Sequence, residues 1–120
     1  MEKSRTRDRI DIEKRTYSFS LLVIRYISSL KIKDVSFEII AKQLVRSATS
    51  VGANVAEAQA GSSRKDFKNF ILHALKSANE TSYWLKLLKD VYGLNHSIDS
   101  LIVECEELTK ILGKIVSKLK

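Results

Sequence analysis

The stretch QLVRSATSVGANVAEAQAGSSRKDF, Gln43 to Phe67, decides how this chain folds. At 100° per residue, Gln43, Arg46, Ser50, Asn54 and Glu57 fall within an arc of about 80°, while Leu44, Ala48, Val51 and Val55 gather on the opposite side. That is a helix with a core face and a specified polar face. Between them Gly52, Ala56, Ala60 and Thr49 form a strip of small side chains that lets a neighbouring backbone come close. Gly61 then reads as a left-handed helix end. Ser63, with Asp66 three residues later, reads as a capping box that opens the next helix.

Working outward, the same alternation of four- and three-residue steps recurs along the chain. Ile12, Thr16, Phe19, Val23, Tyr26 and Leu30 make the seam of a first helix, and Phe37, Ala41, Leu44, Ala48, Val51, Val55 and Ala58 make that of the second. Lys31 to Val35 interrupts them, with Asp34 or Ser36 available as a cap. Phe67, Ile71, Ala74, Ala78, Thr81, Leu85, Leu88 and Tyr92 continue the pattern up to Gly93; Asn95 or Ser97 can cap a last helix seamed by Ile98, Leu101, Cys105, Leu108, Leu112, Ile115 and Leu119. The spacing predicts an all-α, up-down-up-down antiparallel four-helix bundle in a single domain, residues 1–120, with helices over about 11–31, 36–60, 64–92 and 97–119. The charged segment Met1 to Arg9 is expected to fray.

The third helix carries a second set of four-three steps, His73, Ser77, Glu80, Trp84, Leu87 and Val91. A bundle helix needs one broad apolar stripe, so this further face predicts either association into a ring-like oligomer or an unusually wide stripe within the monomer. The polar stripe of the second helix admits two readings as well. Arg46, Ser50, Asn54 and Glu57, with Ser77, Glu80 and Trp84, can form a network that fixes helices or subunits in register, Glu80 being a partner for Arg46; alternatively Arg46 contacts a nucleic acid directly.

Composition narrows the function classes. With no proline, four glycines and 29% charged residues, the chain is built for uninterrupted helices rather than for disorder. No apolar run reaches the length of a membrane span, the N-terminus lacks the apolar segment of a signal peptide, and the lone Cys105 falls on a seam, so no membrane association and a cytoplasmic location are expected. There are two histidines, His73 and His96, without metal-ligand spacing, and neither a phosphate-binding glycine loop nor a nucleophile elbow is present. The expectation is a protein without catalytic residues, metal or cofactor.

Charge points to polyanions. Twenty-one basic against fourteen acidic residues give +7, and five copies at +7 each would carry +35. Arg64, Lys65 and Lys68 crowd the positive end of a helix, which costs stability and suits anion binding, so they are the first candidates for phosphate contact. Lys110, Lys114 and Lys118, followed by Lys120, line the last helix; their bland reading is complementation of the helix dipole, with Glu106 paired to Lys110. Lys3, Arg5, Arg7, Arg9, Lys14 and Arg15 form a further basic group. The tyrosines and phenylalanines mostly fall on seams, which argues against base stacking and sequence-specific single-strand readout.

Arg46-Ser47, the run from Ser50 to Ala58, Ser63 to Phe67, and Ala74, Ser77, Glu80 and Thr81 carry a resemblance to the four-helix bundle family of 23S rRNA intervening-sequence proteins. It spans about Tyr17 to Lys118 and is densest from Leu44 to Leu94. The chain departs from the family where Gly52 stands in place of a frequent proline and Ala58 in place of glycine; neither change touches the polar stripe. The resemblance implies a small bacterial bundle assembling as a homopentamer, without enzymatic activity. The chain is also similar to the accessory proteins of diversity-generating retroelements, which implies RNA or DNA binding and a reverse transcriptase or ribosomal partner. Two hypotheses follow: a pentameric nucleic-acid-binding adaptor that contacts phosphates, or a protein-interaction scaffold whose charge serves solubility.

Overall fold

The computed structural model describes the backbone of residues 2–61 and 63–119 and, Ser62 apart, the side chains of residues 12–119. Four helices account for it: α1 (Glu2–Ser29), α2 (Val35–Ala60), α3 (Arg64–Tyr92) and α4 (His96–Lys118). Among the described residues there is no strand. Each helix packs on its neighbours in the order α1, α2, α3, α4, with α4 closing back on α1, and among the described residues neither diagonal pair brings its backbones close. With connections as short as residues 30–34, 61–63 and 93–95, that contact order is an up-down-up-down antiparallel bundle, 47 Å long and 22 by 20 Å across.

The seams do what their spacing predicts. Phe19, Val23, Leu44, Val51, Val55, Ile71, Leu85, Leu88, Ile98, Leu108 and Leu112 are each buried almost completely and form one cluster through the length of the bundle. Cys105 is part of it, fully buried, its thiol donating to the Ala78 carbonyl oxygen at 3.3 Å. Burial pushes that thiol up to about 12, with the charge of Glu106 adding to the effect.

Helix ends follow their caps. The Asp34 carboxylate accepts from the Ser36 amide at 2.9 Å, the Ser63 hydroxyl from the Asp66 amide at 3.0 Å, and the Asn95 side chain from the Ser97 amide at 3.2 Å. Gly93 takes the left-handed conformation, φ 57 and ψ 44, that ends α3. Gly61 does not. At φ −66 and ψ 147 it is extended, its amide donating to the Ala58 carbonyl oxygen at 3.3 Å, and Ser63 is extended as well, so α2 ends without a positive φ. α1 also starts earlier than the seam indicates, at Glu2 rather than near residue 11, since nothing from residue 2 to 11 is a helix breaker. Against the expected fraying of Met1 to Arg9, the backbone from Glu2 to Arg9 is helical; Met1, the side chains of Lys3, Arg5, Arg7 and Arg9, and Lys120 lie outside the described residues.

The strip of small residues on α2 is divided between two roles. Gly52 faces α1, where an added Cβ would stand 3.2 Å from the Thr16 carbonyl oxygen, and beside it the Ser20 hydroxyl lies 3.3 Å from the Ala48 carbonyl oxygen. Ala56 and Ala60 are exposed instead. Truncating the fully buried Leu85 to Ala should cost about 2–5 kcal/mol of stability in urea unfolding, whereas Leu22→Ala, half exposed on α1, should cost under about 0.5 kcal/mol.

Candidate functional site

The polar face of α2 meets the second register of α3, and a chain of hydrogen bonds runs along the contact. At its centre the Thr81 hydroxyl lies 2.9 Å from that of Ser47, both out of solvent. One turn towards the α2 C-terminus, Ser77 and Ser50 pair through their hydroxyls at 2.9 Å, and the Asn54 amide donates to the Ser50 carbonyl and hydroxyl oxygens at 2.8 and 3.0 Å. On the other side Arg46 donates to Glu80 at 2.7 Å and to Gln43 at 3.1 Å, while the Trp84 indole N–H donates to the same Glu80 oxygen at 2.8 Å.

Of the stripe residues, then, Gln43, Arg46, Ser50 and Asn54 are brought together with Ser77, Glu80 and Trp84. Glu57 is not; it is exposed near the end of α2, more than a turn past Ser77. Arg46 is itself 62% exposed, so its ion pair is a surface pair of small energy, under about 1 kcal/mol, and not a buried charge demanding a partner. Sequence reasoning missed Ser47, whose small side chain gives no periodic signal, although its burial beside Thr81 makes it the most enclosed part of the seam.

Trp84 and Leu87 pack partly against the bundle's own core, and Tyr83 meets Trp84 edge-on with ring centroids 5.0 Å apart. The second register is therefore largely absorbed within the monomer, leaving Val91 as its exposed apolar member. The larger uncovered apolar group is on α1: Tyr17, Leu21 and Ile24 step by four and three along its outer side, with Tyr17 71% exposed. Tyr17 and Tyr83 also stand apart from the expectation that the tyrosines occupy seams.

The antiparallel order brings the other candidate residues to one end of the molecule. Arg64, Lys65 and Lys68 open α3 where Lys110, Lys114 and Lys118 close α4. Within residues 64–68 and 110–118 the single carboxylate is Asp66. None of these six cations makes an ion pair with a described residue. Glu106, expected to hold Lys110, lies instead 3.6 Å from Lys86 on α3, because the helix contact is nearer than the next turn. Arg15 is held by Glu104 at 2.6 and 3.1 Å, joining α1 to α4.

The opposite end holds more acidic partners. Lys89 reaches Asp99 at 2.5 Å, and the Tyr92 hydroxyl donates to Asp34 at 2.9 Å, fastening α3 to the connection before α2. The Lys89 hydrogen bond holds the Asp99 carboxyl below its ordinary range despite an opposing loss of hydration, with His96 adding a smaller pull. Among the described residues no group of three or more His, Cys, Asp or Glu side chains could hold a metal, and no helix is long and apolar enough to cross a membrane.

Fold and site together define an all-α antiparallel bundle with a hydrogen-bonded α2 and α3 seam and one strongly basic end. Residues 8–114 match the model of the 23S rRNA-intervening sequence protein family, and the chain belongs to that family. It is similar to a solved structure from Bacteroides thetaiotaomicron VPI-5482, a protein with unknown function from the S23 ribosomal protein family, at 32% identity and a TM-score of 0.82 over 92% of this chain and 98% of that one. No curated protein matches.

Two predictions follow from this geometry. Since Asp99 titrates lower in the folded chain than unfolded, its contribution is full above the unfolded carboxylate pKa and is lost as pH falls through the folded value; Asp99→Asn should lower the melting temperature at pH 7 and narrow the gap to wild type in acid, as followed by circular dichroism. Cys105, buried and with its thiol shifted upward, should react with an aromatic disulfide reagent at pH 8 only as fast as the bundle opens, with full labelling in denaturant.

Proposed function

We propose that this chain is the subunit of a non-enzymatic, cyclic homo-oligomer, a pentamer, that binds RNA or DNA through backbone phosphates at its basic end. The observation that carries the reading is the gathering of Arg64, Lys65, Lys68, Lys110, Lys114 and Lys118 at one end without ion-pair partners among the described residues. Cations left uncompensated repel one another, and phosphates relieve that repulsion while releasing counterions. Surface Lys and Arg side chains, all exposed but the half-buried Lys68, suit the phosphodiester backbone better than base edges, so little sequence preference is expected. The family's association with 23S rRNA intervening sequences, and the ribosomal family name of the solved relative, support an RNA partner or a ribosomal one.

Assembly is supported by the exposed apolar residues that the monomer does not cover: Tyr17, Leu21 and Ile24 on α1, and Ile39 and Val91. The α1 residues also favour a second reading, a scaffold or reverse-transcriptase accessory subunit that docks a protein and has no nucleic-acid role of its own. Light scattering should give about 68 kDa, five times the 13.6 kDa chain, and anisotropy titrations should show binding to a structured RNA or duplex DNA that weakens steeply as salt rises. A monomer at all concentrations removes the ring, and no binding at low salt removes the nucleic-acid role in favour of the scaffold.

A further inference from the structure

The two ends of the bundle differ in a way that the chain's total charge conceals. Where α2 ends, α3 begins and α4 ends, six cations (Arg64, Lys65, Lys68, Lys110, Lys114 and Lys118) face two carboxylates, Asp66 and Glu57. At the opposite end, over the same depth of each helix, Arg25, Lys31, Lys33, Lys42, Lys86 and Lys89 stand against Asp34, Glu38, Asp90, Asp99 and Glu104, six cations to five carboxylates. Some of these charges also make contacts: Lys89 with Asp99, Lys86 with Glu106 in the middle of α4, and Asp34 with both the Ser36 amide and the Tyr92 hydroxyl. Helix dipoles do not alter the contrast, because each end of an antiparallel bundle carries two helix starts and two helix finishes.

Distance makes the two ends independent. The long axis is 47 Å, several times the screening length of about 8 Å at physiological ionic strength. A phosphate at one end is therefore indifferent to the charges at the other.

We infer that nucleic acid engages this protein at one end only, the end formed by the start of α3 and the finish of α4, and that the opposite end is left free of it. This rests on the nucleic-acid reading above and specifies its surface. In a cyclic assembly with the bundle axes along the symmetry axis, every copy presents the same end to the same side. The ring then has one phosphate-binding rim and one rim close to charge balance, and nucleic acid covers the first without occluding the second.

The test compares two variants with the same change in net charge. One is Arg64→Glu, Lys65→Glu, Lys68→Glu; the other is Arg25→Glu, Lys31→Glu, Lys33→Glu, all exposed except the half-buried Lys68. Binding to a fluorescein-labelled 20-base-pair DNA duplex and an RNA hairpin is read by anisotropy across a salt series, with folding and mass checked by circular dichroism and light scattering. The first variant should lose about 30-fold or more in affinity near 50 mM salt, and its log-log salt slope should flatten by about 2 to 3. The second should stay within about threefold of wild type. If the first variant does not fold, Arg64→Gln, Lys65→Gln, Lys68→Gln should show the same direction of change with a smaller loss. Equal losses in the two reversals, with wild type binding normally, overturn one-ended binding while leaving the nucleic-acid role intact. Failure of wild type to bind either probe overturns both.

Discussion

The contact between Ser47 and Thr81 is the constraint on which the rest of the arrangement depends. Two hydroxyls 2.9 Å apart, both sealed from water, put a polar contact inside an otherwise apolar seam, and sliding α2 along α3 by a turn would part them. Each has an intrahelical acceptor as well, the Leu44 carbonyl for Ser47 and the Ser77 carbonyl for Thr81. Opening the seam would thus leave donors satisfied but would expose the Ala48, Ala74 and Ala78 surfaces that let the helices approach. Small side chains and hydroxyls act together: the first permit closeness and the second select one register from several that closeness alone would allow.

That register has consequences at a distance. With α2 and α3 fixed, the paired hydroxyls of Ser50 and Ser77 and the ion pair of Arg46 with Glu80 fall into line on either side. Gly52, on the adjoining flank of the same helix, fixes α1 by backbone approach instead of by hydrogen-bonded side chains. One helix therefore sets the position of two neighbours by different means. The ends of all four helices, and so the charges they carry, follow from it.

How much of this is legible in the sequence depends on the range of the interaction. The seams, the caps at Asp34, Ser63 and Asn95 and the left-handed Gly93 are local matters, expressed in spacings of three and four residues, and they read correctly. Gly61 misleads because glycine permits a left-handed turn without requiring one, and the next cap lies two residues away. Trp84 and Leu87 mislead for a related reason: a large side chain at the flank of a stripe can lean inward and cover core, which periodicity cannot distinguish from an outward face. The contact of Lys86 with Glu106 crosses twenty residues of sequence and displaces the intrahelical pair that spacing alone suggests. Tyr17, Leu21 and Ile24 form as regular a series as the α1 seam beside them, and only the absence of a helix over them identifies that face as uncovered.

The basic end belongs to the long-range class, and it shows why total charge is a poor guide to binding. Residues 64–68 and 110–118 are more than forty positions apart, and each admits a bland local reading as helix-terminal decoration. Topology removes that independence by placing both at one end, while ion pairs at the other end cancel charges that a residue count treats alike. A ring would sharpen the contrast, since five such ends on one rim repel one another and oppose closure, whereas a polyanion laid across them neutralises several at once. Under that arrangement any ligand that binds the closed ring better than the free chain also stabilises it, so assembly and phosphate binding would be linked through the same six side chains.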